Sequence, residues 1–301
     1  MSTTTTAAPV ASTPSSTMGA TLAATRAELL RLRKWPAVWI TLGSWLALSL
    51  MFGYLFTYLS YASGDNTFAS EGATKESLLA EMMPANVPDV FLQGMPMFGG
   101  ALMMVLGAIV AGNGYGWGTW KTIFSLGAPR TGAVLGSIAA LTCFVVATLV
   151  VSLGLDLGLS LLVATIESQD VVLPSLGSTL ESVGVGFLVL EMWALVGYLL
   201  GTVARGPALS VGLGLVWSLV VENLLRGVGQ LLDWVEALTM VLPGTAAGSL
   251  VGSLVGVQEG GDGTPGVLDT VDGPQAAITV ACYIVLAIVV SVVVVRRRDV
   301  T

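Results

Sequence analysis

Three carboxylates, Asp156, Glu191 and Glu222, stand in or beside long apolar runs of the sequence. A bare carboxylate in hydrocarbon is expensive, so each must be paired, neutralised or turned toward an aqueous path. Glu222 is followed four positions later by Arg226, the spacing of a helical ion pair. That pairing is the expected role of Glu222, with a place in a translocation path as the alternative. Glu191 has no charged neighbour in sequence, which leaves a cavity, another subunit or a backbone group as its partner. Asp156 is expected near the outer headgroups. All three are candidates for a path through a membrane.

Other chemistry is scarce. With no histidine, His-based triads, His metal sites and the usual near-neutral proton shuttle are excluded. Cys143 and Cys282 lie inside apolar runs and read as small buried hydrophobes; two thiols cannot build a four-Cys metal site. Gly114, Gly116 and Gly118 resemble a phosphate cradle only superficially, because no G-x-x-x-x-G-K-[ST] stretch occurs. No catalytic site and no metal site are expected in this chain.

The elements that must position the carboxylates are membrane spans. Of 301 residues, 54% are apolar and only 10% charged, against about 25% charged in soluble domains. Lipid must therefore cover much of the surface. The net charge of −7 sits in short acidic stretches between apolar runs, which argues against a nucleic-acid partner. Residues 276–295 form a twenty-residue apolar run ending in Arg296, Arg297 and Arg298. Such a run spans roughly 30 Å, and the arginines hold its end on the cytoplasmic side.

The same reading gives five further spans over residues 36–58, 95–112, 134–166, 183–203 and 209–225. The third is longer than a minimum span and must tilt or project. In the first, the outer members of the Trp35, Trp39, Trp45 and Tyr54, Tyr58, Tyr61 clusters mark the two interfaces. Gly154/Gly158 and Gly197/Gly201 have the spacing of close-packing faces. Residues 1–20, rich in Thr, Ser, Ala and Pro, read as a disordered cytoplasmic tail rather than a cleaved signal. Residues 21–34 form a helix with Leu22, Leu29 and Leu32 among basic residues. It lies in the membrane plane or forms a basic start to the first span. Residues 62–93 are an external polar loop with a short helix near 75–83.

Two segments are neither spans nor plain loops. In residues 114–130, Thr119 caps a helix over 120–126 that Gly127 and Pro129 stop. Trp120, Ile123 and Phe124 form its apolar face, with Lys121 opposite, and its basic charge places it in the cytoplasm. In residues 230–257, an apolar helical pattern breaks at Pro243-Gly244. A full crossing there would reverse the last span and carry its arginines outside, so the segment reads as an external re-entrant or interfacial hairpin. The result is an all-α polytopic membrane protein with six transmembrane helices and both termini cytoplasmic.

Taken together, these elements resemble the membrane subunit of the ABC-2 transporter superfamily, the type V exporter permeases. The likeness covers about residues 21–300. It rests on the basic elbow helix, the segment from Gly118-Thr119 to Pro129-Arg130, the broken external hairpin, and Arg297-Arg298-Asp299 directly after the sixth span. Where many relatives carry an acidic residue shortly before the Gly-Thr pair, this chain has Asn113, Gly114 and Gly116. The resemblance implies a cytoplasmic-membrane exporter in which this permease pairs with a second copy. Two cytoplasmic ATPase subunits would bind ATP and Mg; this chain would hold no cofactor. Arg31 and Arg33 of the elbow helix would receive them, with Thr119, Trp120, Lys121, Ile123, Phe124 and Arg130 of the coupling segment. Pro243 and Gly244 would shape the exit. The apolar composition favours an amphiphilic or hydrophobic substrate such as a drug, lipid or peptide. A gradient-driven secondary carrier and a non-transporting scaffold or immunity protein are the alternatives.

Overall fold

The computed structural model describes residues 17–64, 74–256 and 264–298, and these are helical throughout their regular parts. Residues 1–16 of the expected tail lie outside the described residues, but the tail ends earlier than expected, because α1 already begins at Thr17 and runs to Lys34. Six helices are long and apolar enough to cross a membrane. They are α2 (Pro36–Ser63), α5 (Met95–Gly116), α7 (Arg130–Ile166), α8 (Leu176–Ala204), α9 (Pro207–Gly229) and α12 (Gly273–Arg297). Between them stand the short helices α3 (Lys75–Glu81), α4 (Val87–Leu92) and α6 (Thr119–Ser125). Helices α10 (Asp233–Thr239) and α11 (Pro243–Val255) form a pair bent by 71°.

The helix ends follow local chemistry. Pro36 and Pro207 occupy first turns, where a missing N–H costs nothing. The Ser175 hydroxyl accepts from the Ser178 amide and Asp272 accepts from the Gln275 amide, satisfying exposed donors at the starts of α8 and α12. At 37 residues, α7 is about 55 Å long and must tilt or project beyond a 30 Å hydrocarbon layer.

Helices α5 and α8 form the centre. Two-thirds of the most apolar stretch of α5 is buried, against 17% for α9 and 22% for α12, whose outer faces are left to lipid. The central pair meets backbone to backbone. A Cβ on Gly107 would run into the Ala194 carbonyl, and one on Gly197 into that of Met104. Gly197 and Gly201 are thus a close-packing face, as their spacing predicts. At Gly154 and Gly158 an added Cβ would meet nothing within 4 Å, so that pair packs against no neighbour in this chain. Gly136 of α7 receives the backbone of α1 at Thr21 and Thr25.

Several expectations are corrected here. Cys143 and Cys282 are exposed, because their faces of α7 and α12 point out of the bundle. Leu32 of α1 is buried, but Leu22 and Leu29 are not. Trp45 and Tyr54, the inner members of the two aromatic clusters, are buried inside the bundle, where both find hydrogen-bond partners on α7. Residues 62–93 are more than a polar loop: Val87, Val90, Phe91 and Leu92 of α4 are core residues, packed against α7 and α8.

Charge sorts the two ends of the bundle. Arg130 at the start of α7 donates to the Arg298 carbonyl at 2.9 Å, and Arg298 donates to the Val203 carbonyl at the end of α8. Arg31 reaches the Val110 carbonyl in α5. At the opposite end, Tyr58 and Tyr61 both donate to Glu167 at 2.9 Å.

Candidate functional site

The basic end is organised around α6. Gly118 precedes it at φ 68°, a left-handed conformation suited to glycine, and no side chain caps the helix. Thr119 is therefore the first helical residue and not the cap, because the sharp turn at Gly118 takes the capping position. The helix closes on Gly127 at φ 87°, with the Gly127 amide donating to the Phe124 carbonyl and the Ala128 amide to that of Ile123. This paired pattern ends a helix abruptly and satisfies its last carbonyls.

Trp120 faces inward. It is 4% exposed, stacks on Phe124 at 5.5 Å, and donates from Nε1 to the Ala111 carbonyl. Gly114 is required beneath it, since any Cβ there would strike the indole. Ile123 and Phe124 are half-buried, whereas Lys121, Thr122, Ser125 and Leu126 are exposed. Trp120 thus anchors the helix and leaves its opposite face exposed. Arg130 lies over the Phe124 ring at 5.6 Å while bonding the end of α12. Arg31 is also turned inward. It pairs with Glu28 at 2.8 Å, an acidic residue at the basic end that sequence inspection passed over, and lies over the Trp35 ring. Arg33 is exposed.

The three carboxylates occupy three different seams and do not converge on one path. Asp156 is fully buried between α2 and α7, where the Ser49 hydroxyl donates to Oδ1 at 3.2 Å. Its backbone carbonyl accepts from the Tyr54 hydroxyl, and Oδ2 has no hydrogen-bond partner. It lies ten residues, about 15 Å, before the end of the long helix α7. One turn earlier, Trp45 donates to Ser152 at 2.8 Å. Glu191 is buried on α8 and accepts from the Thr142 hydroxyl of α7 at 2.6 Å, leaving Oε2 unpartnered.

Glu222 does not pair with Arg226. The only ion pair within 4 Å among the described residues is Arg31–Glu28. Arg226 instead donates to the Asn223 side chain at 2.7 Å. The Glu222 carboxylate, fully buried, accepts from the Gly244 amide at 2.8 Å. That amide is in the first turn of α11, where unsatisfied N–H groups and the helix dipole favour negative charge. The helix start, with free N–H groups aimed at the carboxylate, is the better partner than a half-exposed guanidinium already held by its neighbour. A Cβ on Gly244 would collide with Glu222 Oε2. Pro243 and Gly244 therefore open α11 and tie the bent pair to α9.

A cavity of about 100 Å³ opens beside α2, with Trp45, Ser49, Phe52, Gln93 and Phe98 in its wall. Sequence inspection did not single out Ser49, Gln93 or Phe98. Nothing local marks them, because the contacts that give them meaning join residues 107 apart, as in Ser49–Asp156. Compared with protein-family models and with curated proteins, the chain matches none.

Proposed function

We propose that this chain is the membrane subunit of an ATP-driven exporter of the ABC-2 type. It works with a second copy of itself and two cytoplasmic ATPase subunits, and moves an amphiphilic or hydrophobic substrate across the cytoplasmic membrane. The observation that carries this reading is the anchorage of α6. A seven-residue helix stands at the basic end, pinned to α5 by Trp120 and joined through Phe124 and Arg130 to α7 and α12. A push on its exposed face, at Lys121, Thr122 and Ser125, is passed to three spans at once. Arg33 and Lys34 of α1 present further exposed charge. The tendency of basic residues to collect on the cytoplasmic side supports α6 standing where ATP is available.

The bent pair α10–α11 is then the re-entrant hairpin on the outer side. Support comes from its two anchor points: Glu222 on α9 holds its break, and the far end of α11 approaches the start of α12, where Gly273 lies against Ser253. A second reading, a proton-coupled carrier, is favoured by the unpartnered oxygens on Asp156, Glu191 and Glu222.

One experiment separates them. The tagged protein is purified from its native membrane and its partners are identified by mass spectrometry. An ATPase subunit near one-to-one stoichiometry is expected, with a large loss of yield for Lys121→Glu. Absence of any ATPase, together with transport driven by an imposed proton gradient, overturns the exporter reading.

A further inference from the structure

The cavity beside α2 and the buried carboxyl of Asp156 belong to one arrangement. Trp45, Ser49 and Gly53 recur every four residues, so they form one stripe on α2 facing α4 and α7. At Gly53 the stripe meets α4 closely: an added Cβ would come within 3.0 Å of a Val90 methyl. The stripe runs through a π-helical stretch, Leu50–Leu55, of the kind that proteins often keep at functional sites. The cavity walls are mostly apolar and aromatic: Leu48, Val90 and Trp45, with Phe52 and Phe98 stacked at 6.0 Å.

Its polar side chains are Ser49, Gln93 and Thr264. Gln93 spends one amide N–H on Glu81 at 3.3 Å, which leaves its carbonyl free to accept. Ser49 donates its hydroxyl to Asp156, which stands one side chain behind the wall with Oδ2 unpartnered. No lysine or arginine pairs with Asp156 among the described residues. The lining thus holds neutral polar groups with a carboxyl group directly behind Ser49, and no lysine or arginine. A carboxylate at membrane depth is stable only when paired or reached by water. Ser49 lines the cavity and bonds Asp156, so a ligand in the cavity reaches the carboxyl by displacing that one hydroxyl.

We propose that this cavity binds a small apolar molecule carrying a protonated amine, its ring or chain against Phe52 and Phe98 and its ammonium on Asp156. An aromatic wall with a few convergent polar groups is the usual build of such sites. The proposal rests on the transport reading for its purpose, as the substrate class of that exporter, but its test needs no ATPase.

The test uses the full chain in nanodiscs of neutral phosphatidylcholine, with radiolabelled 2-phenylethylamine as probe and unlabelled 2-phenylethanol as its uncharged analogue. Saturable binding is expected, with the alcohol competing at least about tenfold more weakly, since a charge-assisted hydrogen bond contributes that much. Asp156→Asn should lower amine affinity by a similar factor and bring amine and alcohol together. Phe52→Ala should weaken both equally. Absence of binding, equal competition by the two compounds on the unaltered protein, or an unchanged preference in a folded Asp156→Asn overturns the proposal. If no ATPase partner exists, these affinities do not change, so the two readings fail separately.

Discussion

Removing the Glu222 carboxylate should loosen the start of α11 while leaving the bundle assembled. In Glu222→Ala the part-buried Gly244 amide loses its 2.8 Å acceptor, the fully buried Glu222 carboxylate. An unsatisfied buried donor costs about 1–3 kcal/mol. That energy corresponds to a fall in local protection of about fivefold to about 150-fold. Glu222→Gln keeps a carbonyl acceptor and loses only the charge at the helix N-terminus, about 0.3–1 kcal/mol and up to about 2 where partly buried. Hydrogen exchange by mass spectrometry on peptides covering residues 242–250, in nanodiscs, reads both effects. The order of protection should be unaltered protein, then Gln, then Ala. Arg226→Gln supplies the control, because no ion pair joins Arg226 to Glu222. If Arg226→Gln exposes the peptide as much as Glu222→Ala does, the four-residue pair is the working contact and the cross-helix tie is refuted. Unchanged exchange in Glu222→Ala would refute it equally.

Three further outcomes follow from the same geometry. Gly107→Ala should destabilise by at least about 1–3 kcal/mol, because the methyl meets the Ala194 backbone, whereas Gly154→Ala enters open space and should stay within about 1 kcal/mol; thermal unfolding in detergent compares the two. Trp120→Ala should cost about 3–5 kcal/mol as a buried aromatic truncation, while Lys121→Ala should leave stability within about 0.5 kcal/mol yet weaken ATPase capture. Burial raises the Glu28 carboxyl above its ordinary value of 4.5, with Arg31 pulling it partly back. The folded chain then holds this proton more tightly than the unfolded one, so stability declines as pH rises from the unfolded value through the folded one. Glu28→Gln should flatten that part of a melting-temperature profile; an unchanged slope would count against the assignment.

Much of the fold was legible along the chain. Hydrophobic thickness is a local property, so twenty apolar residues announce a crossing wherever they stand, and all six expected spans correspond to helices of sufficient length. Glycine punctuation was equally local: Gly127 ends α6 with a positive φ, as its position predicts. The apolar face of Trp120, Ile123 and Phe124 with Lys121 opposite was legible too, although Thr119 lost the cap to the turn at its neighbour Gly118. Where the pairing of charges failed, a distant partner had won. Spacing alone proposed Glu222–Arg226, yet the first turn of α11, twenty-two residues on, supplied the better donor.

By itself, then, the order of residues determined the number of apolar helices, their lengths and the segregation of basic from acidic ends, since each depends on a single stretch of chain and its solvent. Tertiary structure alone decided which polar groups inside the bundle meet. Ser49 with Asp156 and Thr142 with Glu191 are separated by 107 and 49 residues, and only the packing of α2, α7 and α8 brings them within bonding distance. Buried polar groups take whichever partner the assembled interior offers, because water is not there to serve as one.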